Sequence, residues 1–411
     1  MSPHPLGDRG RKRHSLFIAA AILLVAMLGV VFVRNLTDFS VYYAAGRSLL
    51  NGRTDLYAPD FARGVVMDYR YLPPFILAFA PLSLAPYRVA AWVWHLLDTL
   101  ALVVAVISIA SLYRDVAYSR VKVWSVAFLT VVPYFAMALD YGNVHLIVTA
   151  VMFAGLSLAL RHREAPAAAL LAVAITVKLI PAVTLPYFAL TRRFRLLALV
   201  VLFTAAITFL PSAYFGLGGN RDLIGRWYEH VIAGQEFHEV NGPINLSLKG
   251  QLRRTFTQVD YTKRVDGDDR YAAVNVAALS TSTIDRVWLA LSVCAFVAGL
   301  ALIRPAPDIR LEALQVGLLI CVMLLVGPLT SRVYLVALLW PVVAVAIAAW
   351  DHAAVRRTLI AVAIVSSALP LVPGRTIQRL LLVAGTDFYV SCAILGLVAY
   401  VLIGSARQRA Q

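Results

Sequence analysis

Long apolar runs separated by short polar loops follow one another along this chain. Each run is long enough for a helix to cross about 30 Å of hydrocarbon, whereas a membrane β-barrel would show short alternating segments. The pattern therefore predicts an all-α polytopic membrane protein with about ten full spans. The predicted spans cover residues 15–34, 88–112, 121–139, 143–160, 194–214, 286–303, 311–327, 333–350, 356–373 and 386–404.

The apolar segment 166–190 differs from these spans because Pro181 and Pro186 interrupt it. It lies between two short basic loops, so it must return to the side of the membrane on which it starts. About 25 residues, at about 1.5 Å per residue, are too few for two full spans. We therefore predict a hairpin of broken helices, which at membrane depth requires surrounding protein or a water-filled cavity.

The short loops set the predicted orientation in the membrane. By the positive-inside rule, loops rich in arginine and lysine face the cytoplasm. We therefore predict a multi-pass protein of the cell membrane whose basic N-terminus and whose C-terminus are both cytoplasmic. The basic loop residues are Arg114, Arg120, Lys122, Arg161, Arg163, Arg192, Arg193, Arg195, Arg304, Arg310, Arg356, Arg357, Arg407 and Arg409.

Two polar segments, 35–87 and 213–285, exceed the usual length of a connection between spans, which favours a functional role. Both are predicted to be extracytoplasmic loops of a single membrane domain that covers residues 1–411. In the first loop, the amphipathic stretches 41–50 and 74–84 are predicted to lie in the plane of the interface.

Composition agrees with a membrane protein, since 61% of residues are hydrophobic and 14% are charged, against about a quarter charged in soluble domains. The net charge of +15 lies largely in short loops beside spans, so membrane lipids are expected partners and nucleic acid is not. Cys294, Cys321 and Cys392 fall inside apolar runs without metal-ligand spacing. With no phosphate-binding glycine loop either, we predict no metal and no cofactor.

Asp38 is the only acidic residue in the segment from Asn35 to Ala45. A carboxylate where water meets hydrocarbon costs free energy, which favours a functional role. The alternative is an N-cap for a helix that begins at Phe39. Tyr42 follows one helical turn later, and its hydroxyl suits a polar ligand such as a sugar, although tyrosines are common at membrane interfaces.

A short turn between two predicted spans holds further candidates. Gly142-Asn143 is a turn signal, and Asn143 is a candidate for contact with a substrate. His145 lies one turn into the following span, where a polar side chain favours a position on a cavity wall. A packed histidine with satisfied hydrogen bonds is an equal alternative.

Three cations and one amide complete the candidate binding residues. Lys178 lies inside the broken hairpin and needs an anionic partner, either a phosphate or a buried carboxylate. Arg332 suits phosphate contact, with snorkelling to lipid head groups as the alternative. Asn245 and Arg253 lie in a segment of the second long loop that either binds a hydroxyl-rich, phosphate-bearing ligand or forms a surface turn.

The order of several short motifs between about residues 30 and 345 resembles glycosyltransferase family 87. This family lies in the GT-C superfamily of transferases that use polyprenyl-phosphate sugars. Each motif is weak alone, and their order and spacing carry the resemblance. The motifs are Asp38-Phe39 with Tyr42, Leu56-Tyr57, Tyr71-Leu72-Pro73-Pro74, Ala80-Pro81-Leu82, Leu84-Ala85-Pro86, Gly142-Asn143, Lys178-Leu179-Ile180-Pro181, and Asn245-Leu246-Ser247-Leu248 with Arg253.

The resemblance implies a GT-C-type fold with an extracytoplasmic active site. An acidic residue of the first outer loop, here Asp38, would be the general base. The implied donor is a polyprenyl-phosphate-linked mannose or arabinofuranose. Many relatives carry Ser-Pro-x-Ser-Trp-x-His-His where this chain has Gly327-Pro328-Leu329-Thr330-Ser331-Arg332-Val333-Tyr334, so the identity of the sugar stays open.

The sequence therefore predicts an enzyme that transfers a sugar, with mannose as the first choice, from a polyprenyl-phosphate donor to a hydroxyl of a glycolipid or polysaccharide acceptor. Asp38 would act with inversion of the anomeric centre, and Lys178, Arg332 or Arg253 would contact the phosphate. One alternative is an arabinofuranosyltransferase of the same family. Another is a lipid or sugar transporter or flippase, for which broken helices and buried cations are equally expected.

Overall fold

The structure is a computed structural model that describes residues 36–65, 67–233, 244–258 and 274–410, together with residue 29 and residues 31–33. The predicted first span, 15–34, lies largely outside the described residues, as do parts of the second long loop at 234–243 and 259–273. All regular structure in the described part is helical, which confirms the all-α class.

The first half of the chain contains short helices around the first outer loop and then the first membrane helices. Three of the α-helices adjoin a short 3₁₀ or π segment. These segments are Ala80–Leu84 after α2, Ile180–Thr184 before α7 and Tyr228–Ala233 after α9. The helices are α1 (Thr37–Leu50), α2 (Pro73–Phe79), α3 (Tyr87–Leu112), α4 (Arg120–Tyr141), α5 (His145–Leu160), α6 (Glu164–Val177), α7 (Leu185–Leu190), α8 (Phe194–Phe209) and α9 (Ser212–Trp227).

The second half begins with one amphipathic helix in the outer loop and continues with five long membrane segments. A 3₁₀ turn at Arg332–Leu338 leads into α13, and another at Leu369–Leu371 follows α14. The helices are α10 (Leu248–Phe256), α11 (Thr281–Ala301), α12 (Ile309–Val326), α13 (Leu339–Ala349), α14 (Ala353–Ala368), α15 (Arg375–Ala384) and α16 (Thr386–Ala410).

Seven helical segments of the described chain are long and apolar enough to cross a membrane, or eight if the bent pair of α8 and α9 counts as one span. The prediction of about ten spans is therefore not confirmed. Within the predicted span 143–160, the structure has the shorter helix α5, of 16 residues, from His145 to Leu160. The predicted span 194–214 ends at Phe209, and the next segment is bent by 97° from it. Pro211 cannot continue the helix, and Gly216, with φ of 74°, interrupts α9 five residues later.

The break predicted within 166–190 is present. Helix α6 ends at Val177, Lys178 takes an extended conformation, and the 3₁₀ turn containing Pro181 leads into the short α7. Arg193, just beyond α7, donates a hydrogen bond to the carbonyl of Ala159 at the far end of α5. The segment thus returns to the end of the bundle from which it starts, with Lys178 at its turning point.

The centre of the bundle is α12 with α13. In the apolar stretch of α12, 78% of the residues are buried inside the protein, whereas 17% are buried in the corresponding stretch of α11. Peripheral helices such as α11 therefore present apolar side chains to lipid, and the core forms around α12. Short arginine loops join at one end of the bundle, where Arg193 pairs with Glu312 at 3.5 Å.

Candidate active site

Asp38 lies in the first turn of α1 at the end of the bundle opposite the arginine loops, and it is half-buried. Its Oδ2 accepts a hydrogen bond of 2.8 Å from Nδ2 of Asn143. The alternative that Asp38 caps this helix is wrong, because α1 begins at Thr37 and its capping residue, Leu36, accepts no side-chain hydrogen bond. The carboxylate therefore faces the turn between α4 and α5.

The Gly142-Asn143 turn holds the amide beside this carboxylate. Gly142 ends α4 in the left-handed conformation, with φ of 60°, and its carbonyl accepts a 2.8 Å hydrogen bond from the indole of Trp94. Asn143 Oδ1 accepts a 2.8 Å bond from the backbone N–H of His145, at the start of α5. One side chain thus begins a helix and also donates to Asp38.

We expect Gly142→Ala to lower the stability of the protein by about 1–3 kcal/mol from its positive φ alone, and further through contact. A Cβ at this position would lie 2.8 Å from Cβ of Phe39, the neighbour of Asp38. Gly52→Ala is the matched control, because Gly52 has φ of +83° and no atom within 4 Å of an added Cβ. Melting temperatures in detergent test this, and equal losses in the two variants would contradict it.

Two tyrosines form a polar contact next to Asp38. The hydroxyls of Tyr42 and Tyr71 are 2.8 Å apart, and their rings pack edge to face with centroids 5.3 Å apart. Burial raises the pKa of Tyr71 to about 12, with the charge of Lys178 lowering it and that of Asp38 raising it. Tyr71 is therefore a neutral hydroxyl at physiological pH that lies within the fields of both charged groups.

Lys178 approaches the same place from the broken hairpin. Its Nζ donates a 3.1 Å hydrogen bond to the hydroxyl of Tyr334 and lies 4.2 Å from the centroid of that ring. These contacts give the half-buried ammonium a hydrogen bond and a cation–π interaction. No carboxylate forms a salt bridge with Lys178 in the part of the chain that the structure describes, so the predicted alternative of a buried carboxylate partner is not realised there.

The imidazole of His145 also packs on the ring of Tyr334. The two rings stack at 4.1 Å with an angle of 21° between their planes, and His145 is buried. Within the described residues, neither ring nitrogen of His145 has a hydrogen-bond partner. A buried polar group without a partner is costly, so this imidazole has two atoms available to a bound molecule.

The two arginine candidates lie in ion pairs elsewhere. Arg332 Nε donates a 2.7 Å hydrogen bond to the buried carboxylate of Asp387, which also accepts from the hydroxyl of Tyr134. Arg253 donates to both oxygens of Asp285, at 2.8 and 2.7 Å. Each arginine thus already has a carboxylate partner, in contrast to Lys178.

Asn245 has a structural position. It is fully buried, its Nδ2 donates to the carbonyl of Pro328 at 2.9 Å, and its Oδ1 accepts from the backbone N–H of Thr330 at 3.1 Å. These bonds join the second outer loop to the segment that leads to Tyr334. Asn245 therefore holds the segment before Tyr334 in place through hydrogen bonds to its backbone.

The structure thus brings together five of the residues predicted from the sequence, and it adds Tyr71 and Tyr334. Tyr71 begins one of the short motifs, and Tyr334 ends the segment that departs from the family pattern. The motif and the departure from the family pattern draw attention to these two segments of the sequence. Neither indicates that the hydroxyls of Tyr71 and Tyr334 lie close to the charged side chains. The five predicted residues are Asp38, Tyr42, Asn143, His145 and Lys178.

The side chains gathered here include a cation, several hydroxyls and an imidazole, all of which can bind an anion. Among the described residues, no group of three or more histidine, cysteine, aspartate or glutamate side chains could hold a metal ion. The membrane-length helices define a polytopic membrane protein, and this charged cluster is a candidate ligand site at one end of its bundle.

The sequence model of glycosyltransferase family 87 matches residues 69–328, which is more than half of the chain. The chain belongs to glycosyltransferase family 87 and is therefore a glycosyltransferase. The matched range includes Asn143, His145 and Lys178, whereas Asp38 precedes it and Tyr334 follows it. No curated protein and no solved structure matches the chain.

Proposed function

We propose that this protein transfers a sugar, with mannose as the first choice, from a polyprenyl-phosphate donor to a hydroxyl of a glycolipid or polysaccharide. The observation that carries the proposal is a carboxylate, Asp38, and an ammonium group, Lys178, near enough to each other that the charges of both shift the pKa of Tyr71. Glycosyl transfer from a phosphate ester requires a base for the acceptor and a cation for the departing phosphate.

The position of the site supports a lipid-linked donor. The arginine loops are at the opposite end of the bundle, and the positive-inside rule assigns that end, with both termini, to the cytoplasm. The site then opens on the extracytoplasmic side of the cell membrane. Nucleotide sugars are made in the cytoplasm, so a sugar at this site arrives on a membrane carrier.

Asp38 is the proposed general base. Its carboxylate takes the proton from the acceptor hydroxyl while that oxygen forms a bond to the anomeric carbon of the donor. The bond from this carbon to the phosphate oxygen breaks on the opposite face, and the anomeric configuration inverts. Asn143 orients the carboxylate through its 2.8 Å hydrogen bond. General-base assistance of this kind contributes about 10²–10⁴-fold.

Lys178 is the proposed partner of the leaving phosphate, whose negative charge increases as the bond breaks. The hydroxyl of Tyr334 lies next to the ammonium, and the unpartnered ring nitrogens of His145 lie on the ring stacked with Tyr334, so both can hydrogen-bond the phosphate or the sugar. We assign this role to Lys178 over Arg332 and Arg253 because Asp387 and Asp285 already balance the charges of the two arginines.

The direct test uses purified full-length protein in nanodiscs with a membrane glycolipid extract as acceptor. We expect transfer from polyprenyl-phosphate mannose and none from the corresponding nucleotide sugar. Polyprenyl-phosphate arabinofuranose in a parallel reaction distinguishes the two sugars of the family. The anomeric configuration of the product, read by NMR, should be opposite to that of the donor. Transfer from the nucleotide sugar, or retention of configuration, would contradict the proposal.

A further inference from the structure

A purely apolar groove lies directly behind the charged site. It has a volume of about 160 Å³ and is formed by α2, α3, α5 and α6. Its walls include Phe75, Phe79, Trp94, Val148 and Ala174. The indole N–H of Trp94 already donates to the carbonyl of Gly142, so its ring presents only apolar surface. The walls therefore suit hydrocarbon and offer a sugar or a peptide no hydrogen bonds.

The groove begins at the residues that form the site. Val144, in its wall, lies between Asn143 and His145, and Val177 immediately precedes Lys178. On the α2 side, the ring of Phe75 that lines the groove packs 5.2 Å from the ring of Tyr42. A molecule with its charged group at Lys178 would thus have its neighbouring atoms at the entrance of the groove.

The groove extends from the site toward the middle of the membrane. Along α5 its wall runs from Val144 to Val151, which is about 10 Å at 1.5 Å per residue. Along α6 it runs back from Val177 to Val173 in the same direction, because the two helices are antiparallel. Val173 is 41% exposed, so the groove opens sideways to the lipid.

We propose that this groove binds the first isoprenoid units of the lipid chain of the sugar donor. The inference rests on the proposed function and deepens it by locating the chain of the substrate. The groove starts beside the cation assigned to the donor phosphate, which favours the donor chain over an acyl chain of the acceptor. The lateral opening lets the remaining chain continue into the bilayer.

The test combines substitutions that fill the groove with donors whose lipid chains differ in length. In the wild type, the KM of the donor should fall as its chain grows from a methyl group to about ten carbons, since each buried methylene adds affinity. In Ala174→Leu and Val148→Phe we expect this dependence to weaken, so that the KM for the longer donor rises about tenfold, the effect of roughly two lost methylene contacts. The kcat with the methyl donor should stay at the wild-type value.

Ile107→Phe is the control, because Ile107 is an exposed apolar residue of α3 that does not line the groove. It should keep the full dependence on chain length. The location is overturned if the filled variants also keep that dependence, or if they instead become sensitive to the chain of the acceptor.

A binding experiment on the wild-type protein separates this inference from the proposed function. A polyprenyl phosphate with a photoreactive diazirine on its first isoprenoid unit should label peptides that contain Val148 or Ala174. Labelling confined to other peptides would refute the groove even where a filled variant fails to fold. Absence of sugar transfer by the wild type, together with labelling of these peptides, would refute the proposed function alone.

Discussion

Asp38→Asn is expected to lower the kcat of sugar transfer by about 10²–10⁴-fold while the protein folds normally. The asparagine keeps the size of the side chain, and its carbonyl can still accept the hydrogen bond from Asn143. It has no carboxylate to take the proton of the acceptor hydroxyl. The measurement is initial rate with saturating lipid-linked donor in nanodiscs, with the melting temperature as a check on folding.

Asp60→Asn provides the matched control for this substitution. Asp60 is a carboxylate of the same outer loop, and its hydrogen bonds with Arg53 hold its pKa below the usual value. It is exposed and pairs with Arg53 and Arg63, neither of which belongs to the site, so the rate of its variant should match the wild type. A wild-type rate in Asp38→Asn would exclude Asp38 as the base.

Lys178→Met should reduce the kcat by about 10²–10³-fold, the usual effect of removing one group that stabilises charge in a transition state. Methionine fills a similar volume without a charge. The loss should shrink with a glycosyl fluoride of the same sugar, because that donor releases no phosphate. The Asp38→Asn variant should gain nothing from the fluoride, since its missing group acts on the acceptor.

The comparison between the two donors distinguishes a role in chemistry from a role in folding. A misfolded Lys178→Met protein would lose activity with both donors alike. Lys122→Met, at the exposed arginine-rich end of the bundle, is the control for removal of a lysine and should behave as wild type. Equal losses with phosphate and fluoride donors would remove Lys178 from the leaving-group step.

The membrane helices could be predicted closely because their boundaries are local properties of the sequence. The span predicted at 88–112 is the helix Tyr87–Leu112, and the break predicted around Pro181 is present with Lys178 at its turn. Hydrocarbon requires a minimum length of apolar helix, and proline removes a backbone donor wherever it stands. Such constraints need no knowledge of neighbouring elements.

The sharp turn after α8 shows the limit of this local reading. The run 194–214 is long enough to span, but Pro211 falls near its end and the chain bends there by 97°. Hydropathy reports the length and apolar character of a segment, and it does not report the direction in which the chain continues. Partly for this reason, the described part of the chain does not confirm the prediction of about ten spans.

The contacts that build the site could not be predicted, because they join residues far apart in the chain. Asn143 lies 105 residues from Asp38, and Tyr334 lies 156 residues from Lys178. The sequence marked Asp38, Asn143 and Lys178 as polar groups in costly positions, yet gave no means to pair them. It also could not show that Asp387, 55 residues away, would neutralise Arg332.

The hydroxyl of Tyr334 has a consequence for the catalytic cycle. Lys178 already contacts that hydroxyl at 3.1 Å and the ring at 4.2 Å, so the ammonium has a resting partner whenever no phosphate is bound. In the proposed reaction, departure of the phosphate therefore exchanges one partner of the half-buried ammonium for another and never leaves it without a hydrogen bond. On the proposed mechanism, Tyr334 competes with the product for Lys178 and so lowers the cost of product release, a step that limits the rate of many enzymes.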